Sequence, residues 1–291
     1  MAWWTFVLMA VAGFACAYAL LATVVTLVQR RLIYKPDPRR STPQDEGFDG
    51  IDVWTVTTPD GAQLVAWYAK AKPGQPTLLY FHGNAGHIEL RSSRLAELAS
   101  RGFGVLMPSY RGYGGSTGQP SERALIADAQ LMFATLRESG VAATNIIVFG
   151  ESLGTGVATQ LAALKPTRGL VLDSPYTSMV DLGTRDYPWL PVRRLLWDHY
   201  DTHRHMRQVS VPVLVLHGEA DGLVPCDMGR AVARAAVAPC TILTYPGATH
   251  LAHCELGSFD DVTAWIKMVT RSHHDLLVTG DIKTGLTVLQ P

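Results

Sequence analysis

Ser152 sits at the centre of Gly150-Glu151-Ser152-Leu153-Gly154, directly after the apolar run Ile146-Ile147-Val148-Phe149 and before a stretch with helical patterning. A strand that turns sharply into a helix lifts its central side chain into an open site only when the residues two positions either side are nearly bare. The two glycines meet that steric requirement, and the pentad reads as a nucleophile elbow. A serine hydroxyl is a weak nucleophile near neutral pH, so it needs a base within hydrogen-bond reach and a third group to orient that base. In a chain with 26 glycines, a turn around a solvated serine gives the same five letters. The other members of the set have to be found.

In a strand-to-helix elbow architecture the chain order to expect is serine, then acid, then histidine. His217-Gly218-Glu219-Ala220-Asp221-Gly222 follows a buried-type strand and ends in turn residues, which makes Asp221 the expected acid. Asp173, at the end of the preceding strand, competes with it, and Glu219 is a weaker rival. For the base, Pro246-Gly247-Ala248-Thr249-His250 follows the last strand, so His250 is favoured, with His253 as the alternative. Acyl transfer also needs donors for the oxygen that becomes negative. Tyr80-Phe81-His82-Gly83-Asn84-Ala85-Gly86 ends another strand in a flexible turn, and the backbone N–H groups of Asn84 and Leu153 are the expected pair. Removing one such donor typically costs about 2.7–4 kcal/mol of transition-state stabilisation. His203-x-His205 and His250-x-x-His253-Cys254 lack the helical i, i+4 spacing and acidic partner of a zinc motif, so no metal is expected. No cofactor is implied.

These residues need a scaffold that brings loop ends together. Residues 51–58 and 62–70 flank Pro59-Asp60-Gly61 and read as an antiparallel hairpin. The runs at 77–81, 103–107, 146–149, 170–172, 213–216 and 241–245 are short and mostly apolar, as in strands covered on both faces. Helical patterns fall between them at about 88–101, 121–139, 153–164, 227–237 and 255–270, with Asp128, Arg137 and Glu138 on outward positions. Alternating strands and helices predict an α/β domain over 51–270, with a mainly parallel eight-stranded sheet and helices on both faces. Residues 174–208 break the rhythm. They carry Tyr176, Tyr187, Trp189, Trp197 and Tyr200 among three prolines, and read as a lid over the strand ends or an excursion packed on the domain.

Residues 3–28 contain no Asp, Glu, Lys or Arg. As a helix they cross a hydrocarbon core of about 30 Å with some tilt, which predicts a transmembrane anchor over 1–30. A cleaved signal is the rival, with small-residue sites at Ala15-Cys16-Ala17, but no basic residue precedes the run and the run exceeds a signal core. Arg30, Arg31, Lys35, Arg39 and Arg40 follow it, which predicts a cytoplasmic domain. The proline- and glycine-bearing segment 31–50 reads as a juxtamembrane linker, and 271–291 as a tail of unknown role. The 25 basic and 25 acidic residues of the 291 cancel, so no general field gathers nucleic acid and none is expected as a partner. Cys226, Cys240 and Cys254 outside the span suit free thiols.

With His-Gly-Asn-Ala-Gly at 82–86, Tyr-Arg-Gly-Tyr-Gly-Gly-Ser at 110–116, Gly-Glu-Ser-Leu-Gly at 150–154 and the Asp221 and His250 loops, the chain resembles the α/β-hydrolase superfamily. The segment Gln-Arg-Arg-Leu-Ile-Tyr-Lys-Pro-Asp-Pro at 29–38, after a single span, is similar to the membrane-anchored, bud-emergence-related group. The resemblance implies a Ser152, Asp221, His250 triad, an oxyanion hole at Asn84 and Leu153, and hydrolysis of carboxylic esters or thioesters through an acyl-enzyme. The expected partners are a small-molecule, lipid or acylated-protein substrate and the bilayer. A serine peptidase acting on short peptides or aminoacyl amides is the alternative, and a non-catalytic tethered binding module the second. Ser109 departs from the acidic residue, and His87 from the asparagine, that relatives often carry.

Overall fold

The computed structural model describes residues 3–251, 253, 256–270 and 288–289. Nine strands form one sheet in the order β11-β10-β9-β8-β7-β4-β6-β3-β2. The hairpin β2 (Ile51–Thr57) and β3 (Gln63–Ala69) is antiparallel and joins β6 (Gly104–Pro108) at one edge. From β6 the sheet runs parallel through β4 (Thr77–Phe81), β7 (Ile146–Glu151), β8 (Gly169–Asp173), β9 (Val213–Gly218) and β10 (Cys240–Tyr245). Eight of the nine are the strands expected from the sequence. The ninth, β11 (Val288–Leu289), pairs antiparallel with β10 and falls in the region expected to be a tail. The remainder of 271–291 lies outside the described residues.

The central strands β4, β7, β8 and β9 are buried at every residue, which is why they read as continuous apolar runs and not as alternation. Their side chains still alternate between two cores. Ile146 and Val148 point to the face covered by α3 (Glu122–Glu138), α4 (Leu153–Leu164) and α8 (Cys226–Arg234). Ile147 and Phe149 point to the opposite face, covered by α2 (Ser92–Ser100) and α9 (Ser258–Thr270). All parallel strands end at the same edge, so the loops that carry candidate residues converge there.

One expected surface residue is inside. Asp128 on α3 is buried, where Arg111 donates to both of its oxygens at 2.7 and 2.8 Å while also pairing with Asp60. Helical periodicity ranks a carboxylate as outward, but a guanidinium arriving from another loop satisfies it in place.

The N-terminal helix α1 (Trp3–Ile33) is long and apolar enough to cross a membrane. It does not end in a free linker. Tyr34 is buried, and β1 (Lys35–Pro36) pairs parallel with β5 (Ala85–Gly86), the turn beyond β4. The long excursion after β8 holds three short helices: α5 (Met179–Asp186), α6 (Val192–Leu195) and α7 (Thr202–Met206). The last packs on α4, while the first two lie between α1 and the strand ends.

Candidate active site

Ser152 lies between β7 and α4 with φ 51° and ψ −115°. A non-glycine residue held there costs about 1–3 kcal/mol and persists only where its surroundings over-determine it. The surroundings here are tight. A Cβ at Gly150 would meet Ala158 at 2.7 Å, and one at Gly154 would collide with the Phe81 carbonyl. The Ser152 amide donates to Asp173 O at 2.9 Å, fastening the elbow to β8.

The structure brings Ser152, His250 and Asp221 together. Ser152 Oγ is 3.0 Å from His250 Nε2, and His250 Nδ1 is 2.7 Å from Asp221 Oδ2. A carboxylate can only accept, so Nδ1 carries the proton and Nε2 is left to receive the serine hydroxyl. Asp221 is further held by the amides of Leu223 and Val224, which donate to Oδ1 at 2.9 and 2.8 Å. Burial opposes its ionisation, but hydrogen bonds from His217 and His250 and from the Val224 amide outweigh burial and hold the carboxyl well below its usual range. The acid and base loops are also joined directly, since the Ala220 amide donates to Ala248 O at 2.9 Å.

The expected donors have the right availability. Among the described residues, neither the Asn84 nor the Leu153 amide donates to an acceptor of the protein. Leu153 opens α4, so its N–H is one of the unpaired groups of a helix start, where negative charge is also favoured. The Asn84 carbonyl accepts from Lys35 N at 3.0 Å and Tyr113 Oη at 2.7 Å, and its side-chain amide donates to Ile33 O at 3.0 Å. These three contacts hold the Asn84 peptide through its carbonyl and side chain and leave its N–H free of them.

The rival candidates are elsewhere. Asp173 and His253 face each other at 2.8 Å, an ion-pair distance with the ring off-axis for an aligned hydrogen bond, and neither contacts Ser152 through its side chain. Arg94 donates to the same Asp173 at 2.9 Å. Glu219 is exposed and bonds Thr244 and Arg230. No cluster able to hold a metal occurs among the described residues.

Sequence reasoning passed over Glu151, the residue beside the nucleophile. It is fully buried, and it accepts from Tyr80 Oη at 2.6 Å, Arg91 Nη2 at 2.9 Å and the Gly83 amide at 3.3 Å. Burial opposes its charge, but Arg94 and Arg91, with the Tyr80 hydroxyl, outweigh burial and hold it ionised. Glu151 therefore ties the elbow to the oxyanion turn from beneath. A carboxylate between a wholly apolar strand and an elbow, with arginines at 91 and 94 on one helical face, was the available signal.

A cavity of about 340 Å³ opens over Ser152, within the size range of small-ligand sites. Its walls are mainly apolar and come from three places: the elbow and oxyanion turn, the excursion with Leu182 and Leu190, and α1 with Val25 and Leu32.

Comparison with known proteins bears on this arrangement. A family model described as alpha/beta hydrolase fold matches residues 76–201, and one described as serine aminopeptidase, S33, matches residues 192–257. The chain is 41% identical over 229 residues to an uncharacterized protein of Mycobacterium tuberculosis, covering 76% of this chain and 80% of that one. It is 32% identical over 225 residues to the alpha/beta hydrolase domain-containing protein WAV2 of Arabidopsis thaliana, covering 69% and 72%. It is also 32% identical over 250 residues to the lysophosphatidylserine lipase ABHD12 of Danio rerio, covering 72% and 64%. Among solved structures, the Pyrococcus furiosus esterase Pf2001 superposes with a TM-score of 0.63 at 19% identity, covering 81% and 96%.

Proposed function

Because the chain belongs to the α/β-hydrolase superfamily and is a hydrolase, we propose that it is a serine esterase or thioesterase held at a membrane by α1, with its domain on the cytoplasmic side. The relay from Ser152 Oγ through His250 to Asp221, at 3.0 and 2.7 Å, carries this reading. Ser152 Oγ attacks the acyl carbonyl as His250 Nε2 takes its proton, while Asp221 stabilises the imidazolium and fixes its tautomer. The amides of Asn84 and Leu153 receive the oxyanion. His250 then returns the proton to the leaving alcohol or thiol, and water, activated by the same base, releases the acid from the acyl-enzyme. The cavity's apolar walls favour an acyl group over a charged ligand.

Ser152→Ala is expected to remove both ester hydrolysis and labelling by a fluorophosphonate. A variant that hydrolyses p-nitrophenyl esters at the parent rate refutes the proposal. A second reading, cleavage of short peptides or aminoacyl amides, is favoured by the match of 192–257 to the aminopeptidase model. Rates on an acyl thioester, a p-nitrophenyl ester and an aminoacyl amide, measured side by side, separate the two, and a preference for the amide selects the peptidase.

A further inference from the structure

The helix read as an anchor is also a wall of the cavity. Val25, Thr26, Gln29, Leu32 and Ile33 line the same space as Ser152. Gln29 is buried in a helix that is otherwise largely exposed. Its Nε2 donates to Leu195 O at 3.0 Å and its Oε1 accepts from the Trp197 amide at 2.8 Å, so both ends of the side chain are spent on the excursion. At the next residue, Arg30 pairs with Asp198 at 3.0 Å and lies over the Trp197 ring. In the other direction, Tyr18 Oη donates to Trp189 O at 2.8 Å. Positions 18, 25, 29 and 32 fall on one helical face, so the excursion lies along about 20 Å of α1.

Depth follows from length. The 31 residues of α1 extend about 46 Å, against a hydrocarbon core of about 30 Å. With Trp3 and Trp4 at the far interface, the core ends near residue 23 and Tyr18 lies about 7 Å inside it. With Arg30 at the near interface, Tyr18 lies about 18 Å inside. In both placements Trp189 reaches below the boundary. Exposed apolar side chains gather along this end of α1: on the excursion Trp189 and Trp197 are each 50% exposed and Tyr187 46%, and Leu223, in the loop after β9 beside the cavity, is 55% exposed. Aromatic rings with polar edges concentrate at the membrane interface.

We propose that the cavity opens into the near leaflet between α1 and the excursion, and that Val25 and Leu32 bind the acyl chain of a bilayer amphiphile that enters sideways from that leaflet. The inference rests on the membrane-held serine-hydrolase reading and specifies where its substrate comes from. The ester stays at headgroup level beside Ser152, and the chain lies against α1.

The test uses the full chain in phosphatidylcholine vesicles with p-nitrophenyl acetate and p-nitrophenyl palmitate. Val25→Trp and Leu32→Trp are each expected to lower the palmitate-to-acetate ratio of kcat/KM at least ten-fold. Leu27→Trp, on an exposed face that does not line the cavity, is expected to leave that ratio unchanged. An unchanged ratio in both cavity variants overturns the inference. A second measurement needs no variant: Ser152 Oγ attacks the phosphorus of a dodecyl fluorophosphonate with a terminal diazirine, an O–P bond forms as the P–F bond breaks and fluoride leaves, and the adduct is then photolysed. Adducts within residues 18–33 support the inference, and adducts confined to other segments overturn it alone. Absence of any labelling at Ser152 overturns the serine-hydrolase reading and this inference with it.

Discussion

Two aspartate–histidine pairs sit at one edge of the sheet, their histidines three residues apart, and they are built for different work. Asp221 and His250 approach to 2.7 Å, and Asp173 and His253 to 2.8 Å. The difference lies in the third partner. His250 presents Nε2 to Ser152 Oγ with its side chain 19% exposed to the cavity. His253 is wholly buried and stacks on Tyr245 with ring centroids 5.1 Å apart, while Asp173 turns to Arg94. A general base must exchange protons with a substrate, and a sealed pair has no route to one. The sealed pair instead fastens the base loop. Arg94 reaches from α2 to Asp173 and to Leu251 O at 3.2 Å, and Leu251 adjoins His250 at φ 62°. In the proposed mechanism one pair performs the transfer, and the other holds the loop from which it is performed.

The widest separation is expected between alanine variants of the two histidines. His250→Ala should lower kcat on a p-nitrophenyl ester by about 10⁴-fold or more, the scale on which serine, histidine and aspartate act as a unit. His253→Ala should leave kcat within about ten-fold and lower stability by about 2–5 kcal/mol, because the buried ring stacked on Tyr245 is replaced by a cavity. Esterase rates and thermal unfolding of both variants check this. The comparison breaks if folded His253→Ala is inert while His250→Ala is active. Next in size is Asp221→Asn, which makes the imidazole tautomer ambiguous and should cost about 10⁴ in kcat with the fold retained. Asp173→Asn should instead show a fall in Tm with kcat kept within about ten-fold, since Arg94 and His253 are then left around a neutral amide. Equal kinetic losses in the two asparagine variants would merge the pairs into one catalytic network.

Much of this edge was legible in the letters, for reasons that also mark where legibility stops. Gly150 and Gly154 announce the elbow because no side chain fits at either position. That the sheet is mainly parallel follows from short runs buried on both faces, which leave no polar side to read. Choosing between His250 and His253, or between Asp221 and Asp173, was harder. Each pair of rivals ends a similar loop at the same edge, and Arg94, which draws off Asp173, lies 79 residues earlier. Asp128 and Glu151 stayed hidden for the same cause, their guanidinium partners coming from distant parts of the chain. The contact between α1 and the excursion was equally hidden. A charge-free run specifies length and polarity but not which face is used, and the Gln29 bonds that select the face are to backbone groups.

A third histidine sharpens the contrast by a smaller amount. His82, at the end of β4, directs Nδ1 to Gly83 O at 2.7 Å while Nε2 accepts from the Tyr110 amide at 3.3 Å. Both nitrogens are used in the neutral ring, and a second proton would face an N–H. Burial, with Arg91 adding to it, lowers the pKa from 6.5 to about 4. The folded-state value lies below the unfolded one, so as pH falls the unfolded chain takes up its proton first. Stabilisation is complete above pH 6.5 and is lost as pH falls toward 4. At pH 5.5 the loss is about 1.4 kcal/mol, which corresponds to a Tm about 3–5 °C below that at pH 7.5. His82→Gln should lower Tm at both values and remove the difference between them. If the variant keeps the parent's slope, the slope does not come from His82. Loss of the slope would show that, of three histidines around one edge, His82 is held by backbone groups in a form that resists a second proton, where His250 and His253 face carboxylates.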